Sequence, residues 1–160
     1  MEIIAISDEL FKPARANMIA FTEYIYKVSQ QIGMKKAYSL LRETFESMAV
    51  YQALRLKNQA RLDYFDAEDA YVLIKVIPEG LGIDYEVIET SPLKVVVRMN
   101  KNPLYDAAKI AGLDAEKFHR ESAIAYMDKI VQLLNPDLRY ELVKFKFTDD
   151  DYYVEQIILR

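Results

Sequence analysis

The spacing of hydrophobic residues changes along this chain of 160 residues, and this change restricts the folds that it can adopt. Up to about residue 77 the apolar residues recur every three to four positions, the period of an α-helix. From residue 83 they alternate with polar residues, the period of a strand with one buried face. The chain is therefore predicted to be helical in its first half and to contain strands in its second half.

The helical half, residues 1–77, is predicted to contain three helices. Pro13 fits the first position of a helix that ends at Gly33, and its apolar stripe runs through Met18, Phe21 and Ile25. A second helix is predicted from Met34 to Arg61, which makes the first two helices a hairpin around Gly33. A third is predicted from Ala67 to Ile77, with acidic residues at its start and Pro78 beyond its end.

The second half, residues 83–160, is predicted to have the order ββααββ. Alternating residues indicate a hairpin over 83–99 and another over 139–160, whose turn is residues 148–151. Between them, capping signals indicate one helix from Leu104 to Ala111 and one from Asp114 to about Leu134. The predicted fold is a single α+β domain over residues 1–160. A four-stranded antiparallel sheet of two hairpins is covered by helices, and an N-terminal helical hairpin precedes it.

The chain has no cysteine and a single histidine, His119. Disulfides, thiolate nucleophiles and cysteine-ligated metal centres are therefore excluded. A serine, histidine and aspartate triad would have to use that one imidazole, and no phosphate-binding or hydrolase motif is present. Binding is thus better supported than any recognisable catalytic chemistry.

Charge and hydropathy restrict the partners. The net charge is −4, from 21 basic and 25 acidic residues. A general nucleic-acid binder needs a positively charged surface, so this composition disfavours nucleic acid as a partner. No window approaches the ~18 uninterrupted apolar residues of a membrane span. The N-terminus shows no basic segment followed by a long apolar run, so we expect a cytoplasmic protein. We also expect a homodimer.

His119 is the main catalytic candidate, as a general base or as a haem ligand. Glu116 precedes it by three residues, a spacing that places both on one helix face and suits a metal ion. Glu43 and Glu46, also three residues apart, are the carboxylates that would complete such a site. The alternative interpretation is a solvated helix face. No cofactor is identified by the sequence.

A second group of candidates suits a ligand with a carboxylate. Arg98 is predicted to project from the sheet face opposite Val95 and Val97, with Tyr105 on the helix just beyond. Tyr126, beside the inward-facing Met127, is predicted to line the same cavity. The alternative is a surface arginine with packed tyrosines. The acidic run 149–151 is interpreted as a hairpin turn, since it lacks the glycine and the distant glutamate of a calcium loop.

Three motifs in the second half carry a family resemblance. They are Asn-Pro-Leu-Tyr-Asp-Ala-Ala-Lys-Ile-Ala-Gly-Leu at 102–113, Leu-Asn-Pro at 134–136 and Asp-Asp-Tyr-Tyr at 150–153. Their order and spacing resemble the L-2-amino-thiazoline-4-carboxylic acid hydrolase-like family, which is related to the 4-vinyl reductase type of small-molecule-binding domain. The resemblance covers roughly residues 83–160.

The resemblance implies a small-molecule-binding domain, or a hydrolase of a small cyclic amide-like substrate. Members commonly carry cysteines where this chain has Asn102, and near the positions of His119 and Tyr153 or Val154. Any hydrolysis by this chain must therefore proceed without a thiol. The sequence favours a domain that binds a small apolar or aromatic molecule with little or no catalysis. The alternatives are the hydrolase and a protein-assembly module.

Overall fold

The structure, a computed structural model, describes the backbone of residues 2–160 and the side chains of residues 8–160. Its first two helices, α1 (Glu2–Ile32) and α2 (Met34–Ala60), form the predicted hairpin. Gly33 joins them at φ 87°, a conformation that glycine adopts without the steric cost of a side chain. The ring centroids of Phe21 and Phe45 lie 6.1 Å apart, so α2 runs back along α1.

Four strands form one antiparallel sheet in the order β1-β2-β4-β3. They are β1 (Tyr85–Ser91), β2 (Lys94–Met99), β3 (Leu138–Lys144) and β4 (Tyr153–Leu159). Strand β1 pairs with β2 and β3 pairs with β4, so each hairpin is formed by consecutive strands. The two hairpins are joined by the pairing of β2 with β4 at the centre of the sheet. The prediction of an α+β fold with a four-stranded antiparallel sheet is confirmed.

The remaining helices are α3 (Ala67–Ile74), α4 (Val76–Gly80), α5 (Pro103–Ala111), α6 (Ala115–His119) and α7 (Ala125–Leu134). Of these, α3, α5 and α6 begin directly after a residue whose side chain caps them. Asp66, Asn102 and Asp114 each accept a hydrogen bond from a backbone N–H in the first turn of the helix that follows. No helix of the described residues is both long and apolar enough to cross a membrane.

The helices cover one face of the sheet. Val95 and Val97 of β2 point to this inner face and pack with Ile130 of α7. Arg98 lies on the outer face, where it forms an ion pair with Glu86 of β1. The two sequence halves share this interior, because α1 packs on α5 and α2 packs on α7.

Two predicted helix boundaries are wrong. α1 does not begin at Pro13 but continues through it. A proline inside a helix loses one backbone hydrogen bond and crowds the preceding turn, and here the packing of α1 on α5 and α2 outweighs that cost. The third helix does not reach Ile77 unbroken: α3 ends at Ile74, and α4 contains Pro78. Pro78 lies in the first turn of α4, where its missing N–H costs nothing.

The second half also differs from the prediction in two places. The helix expected from Asp114 to Leu134 is interrupted by a π-helical segment, Arg120–Ile124, between α6 and α7. The strand expected to reach Phe147 ends at Lys144, and a bulge lies between Leu142 and Lys144. Because of this bulge, Val143 is exposed.

Candidate functional site

A cavity of about 240 Å³ lies between the helices and the inner face of the sheet. Its lining is predominantly apolar, and every helix and strand described above contributes to it. Tyr126 of α7 and Phe45 of α2 form part of the aromatic wall, with their ring centroids 6.1 Å apart. Apolar cavities with a few convergent polar groups are the usual form of a small-molecule site.

Three polar side chains meet in the wall of this cavity. His119 Nε2 lies 2.7 Å from Glu155 Oε1, and the Tyr140 hydroxyl donates a hydrogen bond to Glu155 Oε2. All three residues line the cavity and all three are buried. A buried carboxylate is costly unless it is hydrogen-bonded, and here both of its oxygens are. We call these three residues the polar triad.

The protons of the polar triad follow from its geometry. Burial, together with the negative charge of Glu155, raises the pKa of Tyr140 well above its ordinary value. Tyr140 therefore keeps its proton, and its hydroxyl donates the hydrogen bond to Glu155. The carboxylate oxygens of Glu155 are acceptors, so the His119 nitrogen that faces Oε1, Nε2, is the donor of that hydrogen bond.

Local structure holds His119 in place. It is the last residue of α6, and the π-helical segment begins at the next residue. Its ring lies against Tyr153 of β4 and Phe145, with centroid distances of 5.4 and 6.1 Å. π-Helical turns frequently occur at functional sites. The imidazole therefore reaches Glu155 from a packed and defined position.

Only one of the three predicted ligand-binding residues lines the cavity. Tyr126 does, and burial raises its pKa. Tyr105 is buried beside the cavity instead, against Phe145 and Tyr153. Arg98 lies on the outer face of the sheet, with its guanidinium carbon 5.2 Å from the centre of the Tyr152 ring. The structure therefore does not bring Arg98 and Tyr105 to one cavity mouth.

The predicted metal ligands are not brought together either. Glu116 binds Arg120 of the neighbouring turn at 2.8 Å, while His119 binds Glu155. Glu46 lies 3.6 Å from Arg42, and Ser39 donates a hydrogen bond to Glu43. Within the described part of the chain, no group of three or more histidine, aspartate or glutamate side chains could hold a metal ion.

The acidic run at 149–151 forms the turn region of the last hairpin. Asp151 accepts a hydrogen bond from Lys144 Nζ at 2.6 Å and one from the backbone N–H of Tyr152 at 2.9 Å. The bond from Lys144 is the main cause that lowers the pKa of Asp151. Asp149 pairs with Lys109 at 3.4 Å. These carboxylates are held by protein cations, as expected for a structural turn.

Sequence reasoning missed Glu155 and Tyr140, although a signal for Glu155 exists. In β4 the inward positions are Tyr153, Glu155 and Ile157, so a carboxylate occupies the face that is otherwise apolar. A charged residue at an inward position of an alternating strand is rare without a partner. The partner, His119, is 36 residues away, too distant for any local pattern to connect the two.

Comparison with the models of known protein families and with curated proteins finds no match. The resemblance to the hydrolase-like family and to the 4-vinyl reductase domain therefore stays a prediction. The geometry of the cavity and the polar triad carries the functional interpretation.

Proposed function

We propose that this protein binds a small, mostly apolar or aromatic molecule in the cavity between helices and sheet, with little or no catalysis. The cavity itself is the observation that carries the proposal. A well-packed interior contains few voids larger than a water molecule, and this one measures about 240 Å³. An unfilled space of this size weakens packing, so a bound guest would stabilise the fold.

The cavity volume limits the size of the guest. A dry apolar cavity of about 150 Å³ admits benzene, and the same ratio gives about ten non-hydrogen atoms here. Compounds with one ring or two fused rings match this size. The aromatic wall that includes Phe45 and Tyr126 favours a planar ring, because aromatic pairs gain energy beyond the area that they bury.

A cavity-filling variant tests the proposal. Ala123 lines the cavity, and Ala123→Leu would place three further carbon atoms in it. Neutral one- and two-ring aromatic compounds should raise the melting temperature of the unaltered protein, since a ligand stabilises the state that it binds. They should not raise that of Ala123→Leu. Ala70→Leu is the matched control, because Ala70 is fully buried but does not line the cavity.

The binding panel has clear outcomes. The proposal stands if compounds stabilise the unaltered protein and lose this effect in Ala123→Leu. It fails if no compound of the panel binds, by thermal shift or by native mass spectrometry. It also fails if compounds bind Ala123→Leu as tightly as the unaltered protein, because the ligand would then lie elsewhere.

The second candidate is a hydrolase of a small cyclic amide-like substrate. It is favoured by the contact of 2.7 Å between His119 and Glu155 in the cavity wall. In this role His119 would accept a proton from the water that attacks the carbonyl carbon, and Glu155 would stabilise the imidazolium. His119→Ala should abolish turnover. A variant that keeps its fold and its full rate would remove this candidate.

The assignments of a cytoplasmic location and a homodimer belong to the same proposal. Several large apolar side chains on α2 are exposed, among them Leu40, Met48, Tyr51 and Leu54. Exposed apolar side chains of this kind are compatible with a second copy or with another protein. Light scattering over a range of concentrations tests the dimer, and a mass that stays at the 18.6 kDa of one chain would contradict it.

A further inference from the structure

Glu155 is the one carboxylate among the described residues that line the cavity. Its side chain is 5% exposed and it lies on β4, at the centre of the sheet. Lys75 also contributes to the lining, from the end of α3, yet within residues 8–160 the side-chain partners of Glu155 are His119 and Tyr140. Hydrogen bonds, and no lysine or arginine, therefore hold this carboxylate in place.

Glu155 has hydrogen-bonding capacity that no donor among residues 8–160 uses. An ionised carboxylate offers about four lone-pair positions on its two oxygens. His119 occupies one position on Oε1 and Tyr140 occupies one on Oε2. Each oxygen thus retains one position, in a residue that lines the cavity. A ligand with a hydrogen-bond donor at this point of the cavity would occupy one of the remaining lone-pair positions of Glu155.

The same carboxylate disfavours an anionic ligand. A second carboxylate in this apolar space would place two negative charges close together, and each would also lose its hydration. A neutral ligand without a donor would leave the free positions of Glu155 buried and unpaired, which has a cost as well. A neutral ligand with a hydroxyl or N–H group avoids both penalties.

We infer that the cavity selects a neutral aromatic compound of one or two rings that carries a hydroxyl or N–H group, and that this group donates a hydrogen bond to Glu155. This inference rests on the proposed function, because it describes the ligand of the same cavity. It also departs from the prediction of a carboxylate ligand held by Arg98 and Tyr105. Arg98 lies on the other face of the sheet, paired with Glu86.

Three probes of nearly equal shape test the inference by calorimetry. They are 4-methylphenol, which has a donor, 4-methoxytoluene, which lacks one, and 4-methylbenzoate, which is an anion, and all three are within the size limit of the cavity. We expect 4-methylphenol to bind the unaltered protein about tenfold more tightly than either of the others, which is the gain expected from a hydrogen bond to a charged acceptor.

The variant Glu155→Gln should reduce this preference to about threefold or less, because a neutral amide is a weaker acceptor. Glu86→Gln is the matched control, since Glu86 lies on the outer face of the sheet, and it should keep the full preference. A Glu86→Gln protein that loses the preference would count against a role for Glu155. The comparison of the three probes on the unaltered protein decides the question even if Glu155→Gln does not fold.

The outcomes separate this inference from the proposed function. If all three probes bind with equal affinity, or if 4-methylbenzoate binds most tightly, the inference is overturned while the binding function stands. If none of the three binds and the wider aromatic panel also fails, the proposed function falls and the inference falls with it. A tenfold preference that persists in Glu155→Gln would show that another residue accepts the hydrogen bond.

Discussion

Two buried tyrosines on neighbouring strands differ in what their hydroxyl groups do. The hydroxyl of Tyr140 donates to Glu155, whereas that of Tyr153 has no hydrogen-bond partner among the described residues. Both side chains point to the inner face of the sheet, and burial raises the pKa of both. The hydroxyl of Tyr140 is therefore part of the polar triad, whereas the hydroxyl of Tyr153 contributes only to packing.

Replacement of each tyrosine by phenylalanine should therefore have opposite consequences. Tyr140→Phe removes a hydrogen bond to a charged group and should lower the free energy of unfolding by about 1.5–3 kcal/mol. Tyr153→Phe removes a buried hydroxyl without a partner and should be neutral or stabilising. Urea denaturation at pH 7 measures both. Equal losses in the two variants would contradict the difference that the structure assigns.

The polar triad shows what sequence reasoning finds and what it misses at this scale. His119 was identifiable because it is the only histidine, and Tyr126 because it lies beside an inward-facing position of a helix. The partner of His119 in the structure, Glu155, was not found, because Glu116 lies only three residues from His119 in the sequence and was the nearer candidate. Long-range pairing depends on strand order, which local patterns do not encode.

At the scale of elements, helix and strand identities were predictable and several boundaries were not. Period and capping residues were sufficient for α2, α5 and the two hairpins. The π-helical segment was not predictable, because its residues have the same apolar spacing as the α-helices on either side. Phe118 and His119 before the segment and Met127 after it are all buried, so both flanks are held by tertiary contacts that the sequence pattern does not show.

The junction between α1 and α2 gives a prediction at this scale. Gly33 has φ 87° and ψ 146°, a region that residues with a side chain rarely occupy. Gly33→Ala should lower the free energy of unfolding by about 1–3 kcal/mol, although an added Cβ would meet no atom within 4 Å. The cost is thus one of backbone conformation alone.

Gly80 provides the matched control for this change. It is the last residue of α4, and an added Cβ there also meets nothing within 4 Å. Its φ is not positive, so Gly80→Ala should be neutral or stabilising by up to about 1 kcal/mol. Thermal or urea unfolding of both variants gives the comparison, and a Gly33→Ala protein as stable as Gly80→Ala would contradict the assigned conformation.

At the scale of the whole molecule, the cavity requires both halves of the sequence. Its lining begins with Met18 in α1 and ends with Ile157 in β4. The cavity itself was expected from the sequence, but its volume and its polar triad were not, because they depend on the distance between helices and sheet and on the pairing order of the strands. Among the aromatic and methionine residues that line it, Tyr126 was identified from the sequence as a cavity residue, whereas Met18, Phe45 and Met127 were identified only as core positions.

The cavity leads to a prediction about the stability of the whole protein. Ala123→Leu would fill part of a space of about 240 Å³, and at about 0.8 kcal/mol per buried methylene it should raise the free energy of unfolding by up to about 2 kcal/mol. Ala70→Leu, at a position that is fully buried and outside the cavity, should overpack the core and lower it by about 1–3 kcal/mol.

Pressure provides an independent measurement of the same cavity. Unfolding under pressure eliminates internal voids, and the volume change becomes more negative as the void volume increases. Ala123→Leu should therefore unfold with a less negative volume change than the unaltered protein, and a saturating aromatic ligand should have the same effect. If neither the variant nor the ligand changes this volume, the space between helices and sheet is already filled in solution. Such a result would remove the physical basis for binding in this cavity.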